Sequence, residues 1–201
     1  MKILWITNIM LPPICEATGH KGYSVGGWMY SSLKNLKTNS NNKYAVATIY
    51  NGDKLIEQEI EGTTWYLLPM KGKKTVKYNK SLERYWREIQ NTFNPNVVHI
   101  HGSEYPHGLA YVNACGPQGV VVSIQGMVSC YARYYTAGID FTNVKKHLTF
   151  RDIIKRDTIR KGQKSFEDRG GWEIKLLQKV NHIIGRTEWD KAHTWAINPG
   201  A

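Results

Sequence analysis

Several signals that assign a protein to a simple class are missing from this sequence. Its 201 residues contain no run of about 18 apolar residues, the minimum for a membrane-spanning helix. The start, MKILWITNIM, lacks the basic region, long apolar stretch and small-residue cleavage site of a secretory signal. The three cysteines have no CxxC spacing, so neither a disulfide framework nor a zinc site is indicated. We therefore expect a protein of the reducing cytoplasm.

Common catalytic signatures are missing as well. Neither a dinucleotide G-x-G-x-x-G fingerprint nor a P-loop spacing is present. No Ser-His-Asp or Cys-His arrangement can be chosen from the order of the residues, so a hydrolase is not predicted. His99 and His101 lie two apart, but no third ligand at a suitable spacing completes a metal site.

The unusual bulk property is a formal net charge of +11. It predicts an anionic partner: nucleotide phosphates, nucleic acid, an acidic glycan or an anionic membrane surface. Between Lys145 and Arg169 nine Lys or Arg residues stand against four Asp or Glu residues. This basic segment is either a directional electrostatic surface or an ordinary solvated helix face.

Apolar runs alternate with amphipathic segments along the chain. The runs, taken as strands, cover residues 2–7, 43–50, 63–68, 97–100, 119–124 and 182–185, and a glycine-containing loop follows the first. Helices are expected after Gly27 and over 82–93, 105–114 and 172–180. This alternation predicts a single α/β domain over 1–201, a Rossmann-like three-layer α/β/α sandwich with a mainly parallel sheet.

The stretch from 131 to 169 is harder to assign. Its apolar residues predict irregular or helical material packed over a core, with Tyr134, Tyr135, Phe141, Phe150, Ile153 and Ile154 as the inward side chains.

In an open parallel sheet, ligands bind beyond the carboxyl ends of the strands, where helix N-termini offer free N–H groups. Polar residues that directly follow the predicted strands are therefore the candidate site. They are Gly26, Gly27, His101, Gly102, Ser103, Glu104, Gln125, Gly126, Arg186, Thr187 and Glu188.

Each candidate has a structural alternative. Gly26-Gly27 either admits a phosphate or sugar close to the backbone or is a flexible turn. His99 is better interpreted as a hydrogen-bonded core residue, whereas His101, at the strand end, is placed for ligand contact. Arg186 could bind a phosphate or carboxylate, or form a salt bridge with Glu188 or Asp190.

Four passages resemble the N-terminal domain of the family 4 retaining glycosyltransferases, which have the GT-B fold. They are MKILWITNIMLPP with Gly26-Gly27 behind it, PNVVHIHGSEYPHGLAY, GVVVSIQGMVS and HIIGRTEWDKAHTWAINPG. They span nearly the whole chain in the family's order. The last is similar to bacterial members that act in surface-polysaccharide synthesis.

The resemblance implies a retaining hexosyl transfer from a nucleotide-diphosphate sugar to a glycan or lipid-linked acceptor, with no required metal or cofactor. The chain would be the acceptor-side half, facing a C-terminal donor-binding domain that carries a paired-glutamate motif. These 201 residues do not include that domain, and turnover is not expected without it. Gly26, Gly27, His101, Gln125 and Arg186 to Glu188 would line the cleft between the halves. Many relatives have His-Gly where this chain has Gln125-Gly126, and glutamine cannot titrate.

Two other functions stay open at this stage. A basic nucleic-acid binder would use the cations for phosphates and the aromatics for base stacking, although no recognition motif is present. A non-catalytic carbohydrate-binding domain is the other. In the glycosyltransferase interpretation no nucleic-acid partner is expected, and the basic segment would bind an anionic acceptor or the inner membrane face.

Overall fold

A continuous seven-stranded sheet forms the centre of the molecule. The computed structural model describes residues 1–21, 26–70 and 76–201. The strands are β1 (Lys2–Thr7), β2 (Lys43–Tyr50), β3 (Ile56–Ile60), β4 (Thr63–Pro69), β5 (Val97–His101), β6 (Val120–Ser123) and β7 (His182–Ile184). Their order is β3-β4-β2-β1-β5-β6-β7, and all neighbouring strands are parallel except the β3–β4 hairpin.

Helices cover both faces of this sheet. They are α1 (Pro12–Thr18), α2 (Gly27–Thr38), α3 (Leu82–Phe93), α4 (His107–Cys115), α5 (Val128–Arg133), α6 (Phe141–Lys146), α7 (Phe150–Lys155), α8 (Ile159–Leu177) and α9 (Glu188–Ile197). No helix among the described residues combines the length and hydropathy needed to cross a membrane.

Alternation along the strands produces two cores. In β1, Leu4 and Ile6 face the cluster that includes side chains of α3, α4 and α8, whereas Trp5 faces the cluster made with α1 and α2. Successive strand residues point to opposite faces, so a strand buried on both sides must be apolar at nearly every position. The predicted three-layer sandwich with a mainly parallel sheet is confirmed.

Neither α1 nor β3 was predicted. Residues 12–18, expected to be loop, form α1, which begins at Pro12 because the first turn of a helix needs no N–H donor. β3 has the sequence IEQEI, whose charged residues are uncommon in strands; as an edge strand, it keeps Glu57 and Glu59 exposed.

The prediction for 131–169 was wrong about burial. The segment is helical, but no residue from 133 to 169 is buried. Tyr134, Phe150, Ile153 and Ile154 are 76%, 79%, 61% and 64% exposed, and Phe141 is exposed as well. Only Tyr135 packs as expected, against Phe166 at 5.1 Å between ring centroids.

Candidate active site

The direction of strand addition reverses at β1. The chain places β2 and β4 on one side of β1 and then β5, β6 and β7 on the other. In open α/β sheets ligands bind in the crevice outside the carboxyl ends of the strands at such a reversal. Here the crevice lies between Asn8, which follows β1, and Gly102, which follows β5.

Gly102 is the crowded centre of this crevice. Its φ is +96°, and a Cβ there would lie 2.2 Å from Oε2 of Glu104, 2.5 Å from Nδ2 of Asn8 and 3.1 Å from Cγ of Gln125. Only glycine fits both the conformation and the space. The structure therefore brings Gly102, Glu104 and Gln125 together, and adds Asn8, which was not among the predicted site residues.

Glu104 is held within this group as a partly buried carboxyl. Its Oε2 accepts a hydrogen bond of 2.8 Å from Nδ2 of Asn8. Burial raises the pKa of Glu104 above its usual value and the nearby Glu173 raises it further, while Asn8 and Arg169 oppose the change. The carboxyl is thus a weaker acid than a surface glutamate, which favours proton exchange nearer neutral pH.

His101 forms the floor of the crevice on the α2 side. Only 5% of it is exposed, and its ring packs 3.8 Å from the ring of His99 and 4.3 Å from that of Trp5. Burial, with a smaller effect of His99, lowers the pKa of His101 to about 3, so the ring is neutral at physiological pH. Neither ring nitrogen has a hydrogen-bond partner among the described residues.

An unpaired buried polar group costs about 1–3 kcal/mol, and a ligand hydroxyl would remove that cost. By contrast His99 has a partner, since its Nε2 lies 2.6 Å from Oγ of Ser123. His101 is the more deeply buried of the two histidines, and it differs from His99 in that its ring nitrogens have no partner among the described residues.

The N-terminus of α2 borders the same floor. Trp28, the second residue of α2, is 52% exposed and packs edge-on to His101 with 6.0 Å between ring centroids. Gly26 has a φ of +89°, and a Cβ there would lie 2.2 Å from Cδ1 of Ile9, so the turn itself requires glycine. A Cβ on Gly27 would meet nothing within 4 Å, and no side chain caps the helix.

Arg186 connects the loops that follow β6 and β7. Its Nη2 donates to the backbone carbonyl of Gln125. The guanidinium forms no ion pair with a carboxylate within the described chain, so the salt bridge considered as its alternative is not formed. Instead Oδ2 of Asp190 accepts the backbone N–H of Arg186 at 2.8 Å, and Glu188 pairs with Lys191 at 3.8 Å.

Thr187 caps α9. Its side chain accepts from the backbone N–H of Asp190, and the Asp190 carboxylate accepts from the backbone N–H of Thr187, a complete capping box. Arg186, Thr187 and Glu188 also line an open cleft of about 570 Å³ beside Trp195. Of these three residues, Arg186 is joined to the crevice through the carbonyl of Gln125.

An aromatic pair lies beside Gly126. The ring of Tyr131 passes 3.1 Å from where a Cβ of Gly126 would be, and it stacks on Trp189 with centroids 6.3 Å apart and planes 17° apart. Both rings are exposed at the surface. The sequence carried no signal for this pair, because the two residues are 58 positions apart and meet only across β6 and β7.

Ser103 points inward, towards α8. It is buried and donates a 2.6 Å hydrogen bond to Oε1 of Glu173 in α8. Oε2 of the same carboxylate accepts from the backbone N–H of Ser129 at 2.8 Å and from its hydroxyl at 2.6 Å. Glu173 is fully buried and ties the loop after β5 and the first turn of α5 to α8, a positioning role that sequence reasoning missed.

Solved structures that match this chain include glycosyltransferases of the GT-B type. The sucrose-phosphate synthase of Thermosynechococcus elongatus matches with a TM-score of 0.56 and 9% identity, over 99% of this chain and 46% of that one. The chain has the fold of a GT-B half. An α,α-trehalose-phosphate synthase (UDP-forming) from Burkholderia xenovorans, in complex with glucose-6-phosphate, gives 0.52 and 10%, over 96% and 43%.

A trehalose-6-phosphate structure from E. coli, bound with UDP-2-fluoro glucose, matches with a TM-score of 0.52 and 9% identity, over 98% of this chain and 42% of that one. The chain thus spans less than half the length of the solved structures it matches. No protein-family model and no curated protein matches its sequence. At such low identity the likeness establishes the fold, and the activity must be argued from the site.

Proposed function

We propose that this chain is the acceptor-side half of a retaining glycosyltransferase. It would move a hexose from a nucleotide-diphosphate sugar to a glycan or lipid-linked acceptor, in bacterial surface-polysaccharide synthesis. In this reaction the bond between the anomeric carbon and the diphosphate oxygen breaks, and a glycosidic bond to an acceptor hydroxyl forms. The nucleotide diphosphate leaves, and the acceptor loses a proton.

One observation supports the proposal above all others: the loops at the carboxyl edge converge on a single crevice that contains an unsatisfied, neutral, buried histidine. His101, Gly102, Gln125 and Arg186 lie there in a fold shared with a structure holding UDP-2-fluoro glucose. Glycosyl transfer of this kind depends on positioning the substrates and stabilising the charge on the leaving diphosphate. It therefore needs groups that bind uncharged hydroxyls and diphosphate oxygens.

Each residue of the crevice would bind a different part of the substrates. Arg186, with no carboxylate partner, is available to a diphosphate or an acidic acceptor through its planar donors. His101 would exchange hydrogen bonds with a sugar hydroxyl, and the side-chain amide of Gln125 can do the same because it both donates and accepts. The stacked rings of Tyr131 and Trp189 would support the apolar face of an acceptor sugar.

The intact protein, with its donor-binding half, is the material for the test. UDP-glucose and other nucleotide hexoses are offered with lipid-linked glycans, free glycans and glucose 6-phosphate as acceptors, and release of the nucleotide diphosphate is measured. We expect one donor and acceptor pair to react, and Arg186→Ala to lower kcat/KM by about 10- to 1000-fold. Proton NMR of the product shows whether the anomeric configuration is retained.

Arg87→Ala is the matched control, since Arg87 pairs with Glu83 on the surface of α3 at 3.1 Å, away from the crevice. Unchanged kinetics in both Arg186→Ala and His101→Gln would remove these residues from the site. Steep salt-dependent affinity for RNA or DNA, without affinity for any nucleotide sugar, would replace the proposal with nucleic-acid binding.

A further inference from the structure

Two helices of this protein contribute nothing to its core. Neither α6 nor α7 has a buried residue, and the first half of α8 has none either. We name residues 139–164 the basic arm. Its large apolar side chains are all exposed: Ile139, Phe141, Leu148, Phe150, Ile153, Ile154 and Ile159.

Three of these side chains share one face of α7. Phe150, Ile153 and Ile154 stand at i, i+3 and i+4, which places them side by side on a helix. They are 79%, 61% and 64% exposed. A contiguous exposed apolar patch of this kind marks an interaction surface, because leaving it in water costs free energy that a folded domain normally avoids.

Exposed cations precede and follow the patch along the chain. Lys145, Lys146, Lys155, Arg156, Arg160 and Lys161 are exposed, and none forms an ion pair with any described residue. The arm has three aspartates: Asp140 directly precedes α6, Asp152 is occupied by the α7 capping box and by Arg151, and Asp157 lies 3.9 Å from Arg151. The patch is therefore apolar side chains within an uncompensated positive field.

We propose that the basic arm docks on an anionic lipid surface, with the α7 face inserted at the boundary of headgroups and acyl chains. A surface that offers both phosphate charges and hydrocarbon matches both features, whereas a second copy of the chain would bring cations against cations. The proposal does not depend on the sugar chemistry of the crevice.

Vesicle flotation of the intact protein tests the proposal at low salt. Vesicles of phosphatidylcholine alone are compared with vesicles of equal parts phosphatidylcholine and phosphatidylglycerol. We expect binding to the anionic vesicles only. The triple variant Lys145→Gln, Lys146→Gln, Lys155→Gln should partition about 100-fold more weakly, since each cation near anionic lipid contributes about fivefold.

The matched control is Lys54→Gln, Lys80→Gln, Lys179→Gln, which removes three exposed lysines outside the arm and should bind as the parent does. Insertion is tested separately with the triple variant Phe150→Ser, Ile153→Ser, Ile154→Ser, which should lower partitioning at least tenfold. A polarity-sensitive dye on Phe150→Cys should shift to the blue on binding; Cys15 and Cys130 are buried, and the partly exposed Cys115 is replaced by Ser in the labelled protein.

The proposal would be overturned if the parent, the lysine control and the arm variants all bound equally to the anionic vesicles. The proposal would also be overturned if the charge variant bound more weakly while the apolar variant bound as the parent does and the dye did not shift. That result means adsorption without insertion. Dimerisation through the arm in sedimentation runs, or binding to RNA in place of vesicles, would assign the surface to another partner.

Discussion

Mild acid should destabilise this protein steeply because three histidines are held neutral by burial. Burial lowers the pKa of His99 and His107 to about 4 and that of His101 to about 3. In the unfolded chain all three titrate near 6.5. The unfolded state therefore binds more protons below pH 6.5, so stability is fully present above that pH and is lost as the pH falls.

The magnitude follows from linkage. At pH 5 each histidine lies about 1.5 pH units below its unfolded pKa, and each unit is worth about 1.4 kcal/mol per group. One histidine thus costs up to about 2 kcal/mol, and the three together about 4–6 kcal/mol. Such a loss approaches the whole stability of a typical domain, about 5–15 kcal/mol.

Urea unfolding at pH 7.5, 6.5, 5.5 and 5, followed by circular dichroism, measures this slope directly, and few carboxylates titrate in that window. The double variant His99→Gln, His101→Gln should remove about two thirds of the slope. His147→Gln is the control, since His147 is exposed on the arm, and it should leave the slope unchanged. Uptake of less than one proton on unfolding near pH 5.5 would refute the reasoning.

Three further substitutions probe the scaffold of the crevice, two by urea unfolding and one by calorimetry. Glu173→Ala leaves one buried donor and two partly buried donors without an acceptor and should cost about 3–5 kcal/mol, against less than about 0.5 for the exposed Glu167→Ala. Gly26→Ala should cost about 1–3 kcal/mol, because of its positive φ and the contact with Ile9, whereas Gly27→Ala should be neutral or slightly stabilising. Gly102→Ala should weaken nucleotide-sugar binding by the intact protein more than tenfold in calorimetry; unchanged affinity would contradict the crowded geometry of the crevice.

Much of the sheet was predictable because strands buried on both faces leave a direct mark in the sequence. KILWIT, KYAVATIY and TTWYLL are apolar at nearly every position, and each forms a strand within a residue of its predicted bounds. β3 left no such mark, since one edge of it faces water and its charges suit that edge. The burial predicted for the apolar residues of the arm was wrong. Hydrophobic side chains usually lie in the core, whereas these remain exposed.

The sequence by itself determined the alternation of strands and helices, and with it the edge of the sheet at which polar residues such as His101 and Gln125 would gather. Tertiary structure alone decided which of them meet, because strand order brings Asn8 against Gly102 and the buried Glu173 carboxylate holds Ser103. Neither contact has a local signature in the sequence. Tertiary structure also decided that Ser103 faces inward and that the ring nitrogens of His101 lack a partner. Periodicity is a property of neighbouring residues, whereas a site depends on contacts between residues far apart in the chain.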